Sequence, residues 1–146
     1  PRSTLFPYTT LFRSIGDIIE IHMSHLATMC SVNHISFAEE DLNSLKFYHE
    51  RVQKAFSSAM IAIEHDRPAA AQMVLDMEDE IVKGMDELVR KHQRKFLREE
   101  TTPQEMAAFT LQTDIMENLK RIYEHTKRIG KLVLKQEGGT QLITVS

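Results

Sequence analysis

Residues 36–64 read SFAEEDLNSLKFYHERVQKAFSSAMIAIE, and the spacing within this stretch decides the fold. Ser36 and Glu39 are placed as in a capping box, where hydroxyl and carboxylate satisfy each other's free backbone N–H groups. Leu42, Leu45, His49, Val52, Phe56, Ala59 and Ile63 then recur at steps of three and four. That is the period of an amphipathic helix of about seven turns, which the pattern ends near His65.

Downstream, Asp66-Arg-Pro68 predicts a second start, with Asp66 as N-cap and Pro68 in the first turn, where its missing N–H costs nothing. Val74, Met77, Ile81, Leu88 and Phe96 form that helix's core stripe, weakened in the middle by Gly84. Its far end, Arg90-Lys-His-Gln-Arg-Lys95, sets cations against the negative end of the helix dipole. Thr102-Pro-Gln-Glu105 is a second capping box, with Pro at the first helical position. Phe109, Met116, Leu119, Ile122, Ile129 and Val133 carry the next helix to about residue 136; Gly138-Gly139 is expected to end it, with 137–146 a flexible tail. Upstream, Ile15, Ile18, Ile19, Leu26 and Met29 predict a helix over 15–31 with His22 inside its stripe, closed by Asn33. Four helices joined by short loops must lie as antiparallel neighbours: an all-α, four-helix-bundle-like chain.

Composition narrows the function. A length of 146 residues suits one domain, and 42% hydrophobic with 27% charged residues is ordinary for a globular protein. A net charge of −3 argues against nucleic acid as a partner, because phosphate binding needs clustered Lys and Arg. Cys30, the only cysteine, cannot form an internal disulfide, fits a reducing compartment, and reads as a small apolar filler. No apolar run approaches the roughly 20 residues of a membrane span. Residues 4–14 resemble one reading frame of a sequencing adapter. On that reading 1–14 are not native, Pro7 breaks any helix there, the helical pattern starts only after Ser14, and the natural chain continues upstream.

Several stretches resemble the PhoU repeat, a three-helix unit that occurs in tandem. Ser36-Phe-Ala-Glu-Glu-Asp-Leu42 is similar to the entry of its first helix, and Ala70-Ala-Gln-Met-Val-Leu-Asp-Met-Glu-Asp-Glu-Ile81 to its acid-rich middle. Asp114-Ile-Met-Glu-Asn-Leu-Lys-Arg-Ile122 resembles the approach to its last helix. Arg90-Lys-His92 looks like the version at the C-terminus of bacterial sodium/phosphate cotransporters. Ile15-Gly-Asp-Ile18 aligns with Ile122-Tyr-Glu-His125 as a second copy of one ending. The resemblance implies that 15–31 is the last helix of a truncated first repeat and 36–136 a complete second one.

PhoU proteins carry a carboxylate four residues before an Asp on the last helix of each repeat. Such spacing puts two carboxylates on one helix face, within reach of a divalent or ferric cation. The resemblance carries this role to Asp17 and Glu124, but the positions four residues earlier are Arg13 and Lys120. Lys120 is expected to pair with Glu124 as a solvated ion pair, which disfavours metal. Asp76 and Glu80 form a further carboxylate pair with the same spacing, for which a charged solvent face is the commoner reading. His22 and His49, on apolar stripes, are expected to be interior residues with hydrogen-bond partners. No Glu-x-x-His pair, Gly-rich phosphate loop, His-Glu-x-x-His motif or nucleophile elbow occurs.

The resemblance implies a non-enzymatic regulator, with no cofactor beyond that metal. In the first reading it is the cytoplasmic domain of a sodium/phosphate cotransporter, its partner the membrane domain of the same natural chain. In the second it is a stand-alone phosphate-signalling regulator that binds a histidine kinase and an ABC-type importer. A metal-dependent four-helix enzyme is the alternative from another class. Exposed apolar stripes on an isolated piece also predict self-association into a homo-oligomer.

Overall fold

Leucine and isoleucine steps of three and four become four helical rods in the computed structural model, which describes residues 2–98 and 100–144. The first rod comprises α1 (Arg2–Asp17), a π-helical stretch (Ile18–Met23) and α2 (Ser24–Val32). The second is α3 (Glu39–Glu64), and the third is α4 (Pro68–Asp76) and α5 (Glu78–Arg98), bent at Met77. The last is α6 (Pro103–Thr144), the hub against which every other helix packs. No strand occurs among the described residues, and no helix there is long and apolar enough to cross a membrane.

The ends of the helices have local causes. Asn33 closes α2 by donating both its backbone N–H and its side-chain amide to the Met29 carbonyl. Left-handed backbone at His34 and Asp66 turns the chain at each end of α3. The Thr102 box forms as its sequence dictates: Glu105 N–H donates to Thr102 Oγ1 at 3.2 Å and Thr102 N–H to Glu105 Oε2 at 3.0 Å. The other two expected starts differ. Ser36 makes no cap; α3 starts at Glu39 behind Ala38, and Glu39, Glu40 and Asp41 face its positive end directly. Asp66, in left-handed backbone, leaves the N-cap position to Arg67, whereas Pro68 does take the first turn.

Burial confirms most of the stripes and rotates one. Phe109, Met116, Leu119, Ile122, Ile129 and Val133 are all buried along α6. On α3 the buried line is Leu45, Tyr48, Val52, Ala55, Ala59 and Ala62, so Tyr48 is inside where His49 was expected. His49 and His22 are exposed, as are Ile19, Met29, Leu42 and Phe96. On α3 the reason is the width of the buried arc, since that helix packs against both α4 and α6.

Two terminal expectations fail. Pro7 lies inside α1, where it lacks the N–H that would bond back to the Ser3 carbonyl, yet the helix continues through it. Tyr8, Leu11, Ile15 and Ile18 continue one buried stripe across Ser14, and the Tyr8 hydroxyl donates to Gln136 Oε1 at 3.2 Å. At the other end α6 runs through Gly138 and Gly139 to Thr144, because glycine lowers helix propensity by about 1 kcal/mol without forbidding the helix. Residues 145 and 146 of the expected tail lie outside the described residues.

Candidate functional site

The bend at Met77 divides the acid-rich stretch between two helices. Asp76 ends α4 and Glu80 lies in the first turn of α5, on the two sides of the Met77 break. Each carboxylate has a partner of its own. Asp76 accepts from Gln72 Nε2 at 2.9 Å, and Glu80 pairs with Arg51 Nε of α3 at 2.9 Å. Both line an open groove between α3 and α5 whose floor is Tyr48 against Gly84 and whose rim carries Glu87, Arg90 and Arg94. The Arg51 guanidinium also stacks over the exposed Phe47 ring, 4.6 Å from its centroid.

The bend itself is pinned by phenols. The α4 carbonyls near Met77 lose helical donors, and Tyr123 supplies one by donating from its hydroxyl to Val74 O at 2.7 Å. On the far side Tyr48 donates to Ile81 O at 3.3 Å. Both phenols are pushed far above the ordinary tyrosine range by burial, helped by the nearby carboxylates, so they remain donors.

Glu124 lies next to Tyr123 on α6 and is held by Lys127, not Lys120. The Lys127 ammonium donates to Glu78 Oε1 at 2.6 Å and reaches Glu124 Oε2 at 3.0 Å. These bonds outweigh burial and hold Lys127 above the usual lysine range, while the ammonium holds the Glu78 carboxyl below the usual glutamate range. Asp17 is exposed at the end of α1 and enters no ion pair among the described residues. No group of three or more His, Cys, Asp or Glu side chains is arranged to hold a metal among the described residues. The residues present therefore do not fit the metal that the PhoU resemblance implies: an ammonium sits against Glu124 and Asp17 lacks companions.

Local spacing gave no sign of a second polar centre. His92 on α5, Gln112 on α6 and Asp41 on α3 are all buried. Gln112 Nε2 donates to the Asp41 carbonyl at 3.3 Å, which turns its Oε1 toward His92 Nε2 at 3.2 Å and assigns the imidazole proton to Nε2. The ring stacks on Phe109 at 4.4 Å, and Lys91 Nζ donates to Asp41 Oδ1 at 2.7 Å. Burial pushes the His92 imidazole down; the bond to Gln112 and the Asp41 charge oppose this, and Lys91 and Lys95 reinforce it. The basic-His end of α5 thus ties three helices together. Its sequence signal was Arg90-Lys-His92, which local spacing explained only as dipole compensation. Half-buried Cys30 has its thiol pushed up by burial, away from a reactive thiolate.

Among the described residues the arrangement offers paired charges and interhelical pins. Comparison with curated proteins and with solved structures gives no match. The model of the PhoU domain matches residues 45–133, more than half of the chain, from within α3 to within α6. The chain belongs to the PhoU domain family.

Proposed function

We propose that this chain is the cytoplasmic PhoU-type region of a sodium/phosphate cotransporter, modulating phosphate uptake through contacts between helices rather than through catalysis. The PhoU match makes it a phosphate-related regulatory helical domain. The finer reading is carried by Arg90-Lys-His92, the stretch most like the cotransporter group, whose histidine anchors the junction of α3, α5 and α6. A module of this kind acts by displacing packed rods, and the groove between α3 and α5 presents charged walls that a membrane-domain loop could engage. The gene sequence upstream of the first helix tests the proposal. Several hydrophobic spans containing Gly, Ser and Gln are expected there. A soluble first repeat opening with its own methionine refutes the transporter link and makes the domain a free-standing phosphate-signalling regulator.

A further inference from the structure

Two carboxylates near the Met77 break share one internal cation. Glu78 opens α5, Glu124 lies on α6, and the charges of both, with that of Asp76, act on the Tyr123 hydroxyl between them. Lys127 reaches this place from one turn further along α6. Its side chain is only 12% exposed, and its ammonium contacts an oxygen of each glutamate, at 2.6 and 3.0 Å. A cation entering here would have to expel a hydrogen-bonded like charge, which disfavours binding.

We infer that the Lys127 ammonium occupies the position a metal would take between Glu78 and Glu124, so that this PhoU unit joins α5 to α6 without metal. The inference is independent of the transporter reading, because it concerns only how two helices of this chain are tied. The lysine stem is covered although both glutamates remain open to solvent, and the contact with Glu78 bridges residues 49 apart on two helices.

Thermal melts and calorimetric titration with MnCl2, on EDTA-treated full chain, decide it. The wild type is expected to melt at one temperature in EDTA and in millimolar Mn²⁺, with no stoichiometric heat of binding. Lys127→Met should melt lower in EDTA and recover by several degrees in Mn²⁺, a recovery lost in Lys127→Met/Glu124→Gln. Lys127→Arg, which keeps a cation, should behave like the wild type. Uptake of one equivalent of Mn²⁺ by the wild type that Glu124→Gln abolishes overturns the inference. So does a Lys127→Met chain that melts like the wild type, or that gains nothing from Mn²⁺. Should Lys127→Met fail to fold in EDTA, recovery of its helical circular dichroism in Mn²⁺ supports the idea. Continued failure, with Lys127→Arg folded, sinks it.

Discussion

Gly84→Ala is the sharpest probe of how α5 meets α3. In an exposed helix the change would stabilise by about 1 kcal/mol, because alanine loses less backbone entropy. Here an added Cβ would sit 2.9 Å from both Cδ2 and Cε2 of Tyr48, closer than real side chains approach. The ring cannot swing aside freely: it is 3% exposed and its hydroxyl donates to Ile81 O at 3.3 Å. Forcing it outward costs about 1–3 kcal/mol in overpacking, and losing the hydrogen bond about 1 more. Set against the propensity gain, the net is a destabilisation of about 2 kcal/mol, or about 4–8 °C in Tm for a chain of this length. Urea denaturation followed by circular dichroism gives the midpoint, and Tyr48→Leu in the same chain should remove most of the penalty, since the two changes share one contact. A Gly84→Ala midpoint above that of the wild type would show that the Tyr48 ring does not rest on α5, and the floor of the groove would be lost with it.

Tyr123→Phe keeps the ring but strips the 2.7 Å bond from a buried carbonyl; unfolding should become easier by about 1–2 kcal/mol, and an unchanged midpoint would mean that Val74 O needs no donor. Thr102→Ala should cost about 1 kcal/mol by opening the capping box, with Thr102→Ser retaining most of it in the same urea assay. Stability should also fall in acid through His92. Its folded-state proton affinity is lowered, mainly by burial, so the neutral form's contribution is complete above the unfolded value of 6.5 and drains away as pH drops through the lower folded value. Because His125 is lowered too, again chiefly by burial, the comparison is His92→Gln against wild type at pH 7.5 and at about pH 5, where a smaller drop in the variant is expected and an equal drop refutes the assignment.

What the chain disclosed in advance was local. The Thr102 box could be read because its donors and acceptors all lie within four residues, and the α6 stripe because α6, as the hub, buries every expected position. Ser36 shows the limit of such signals: the loop before α3 is set by Ile35 N–H donating back to Cys30 O, and the helix then begins at Glu39, two residues too late for that hydroxyl. Tyr48 and His49 are neighbours, and only the direction from which α4 and α6 approach decides which is covered. The His92–Gln112–Asp41 centre draws on three helices, so no spacing within one segment could reveal it. Lys127 was missed for the same reason. Its main partner, Glu78, lies at the start of another helix, beyond a bend that the periodic pattern of Val74, Met77 and Ile81 runs straight through.

That bend gives the acid-rich stretch its physical meaning. Were α4 and α5 one straight helix, Asp76 and Glu80 would stack on one face and repel, a site in search of a cation. At the Met77 break each helix that packs there answers one acid: Arg51 of α3 takes Glu80, and Lys127 of α6 takes Glu78. Tyr48 and Tyr123, from the same two helices, hold the backbone carbonyls on either side. The bend is therefore fixed by two neighbours at once, so a rotation of α3 or of α6 must break a charge contact and a phenol hydrogen bond together. Coupled losses of this kind favour two discrete packings over gradual drift, which is the property a helical regulator needs to pass a signal from one rod to the next.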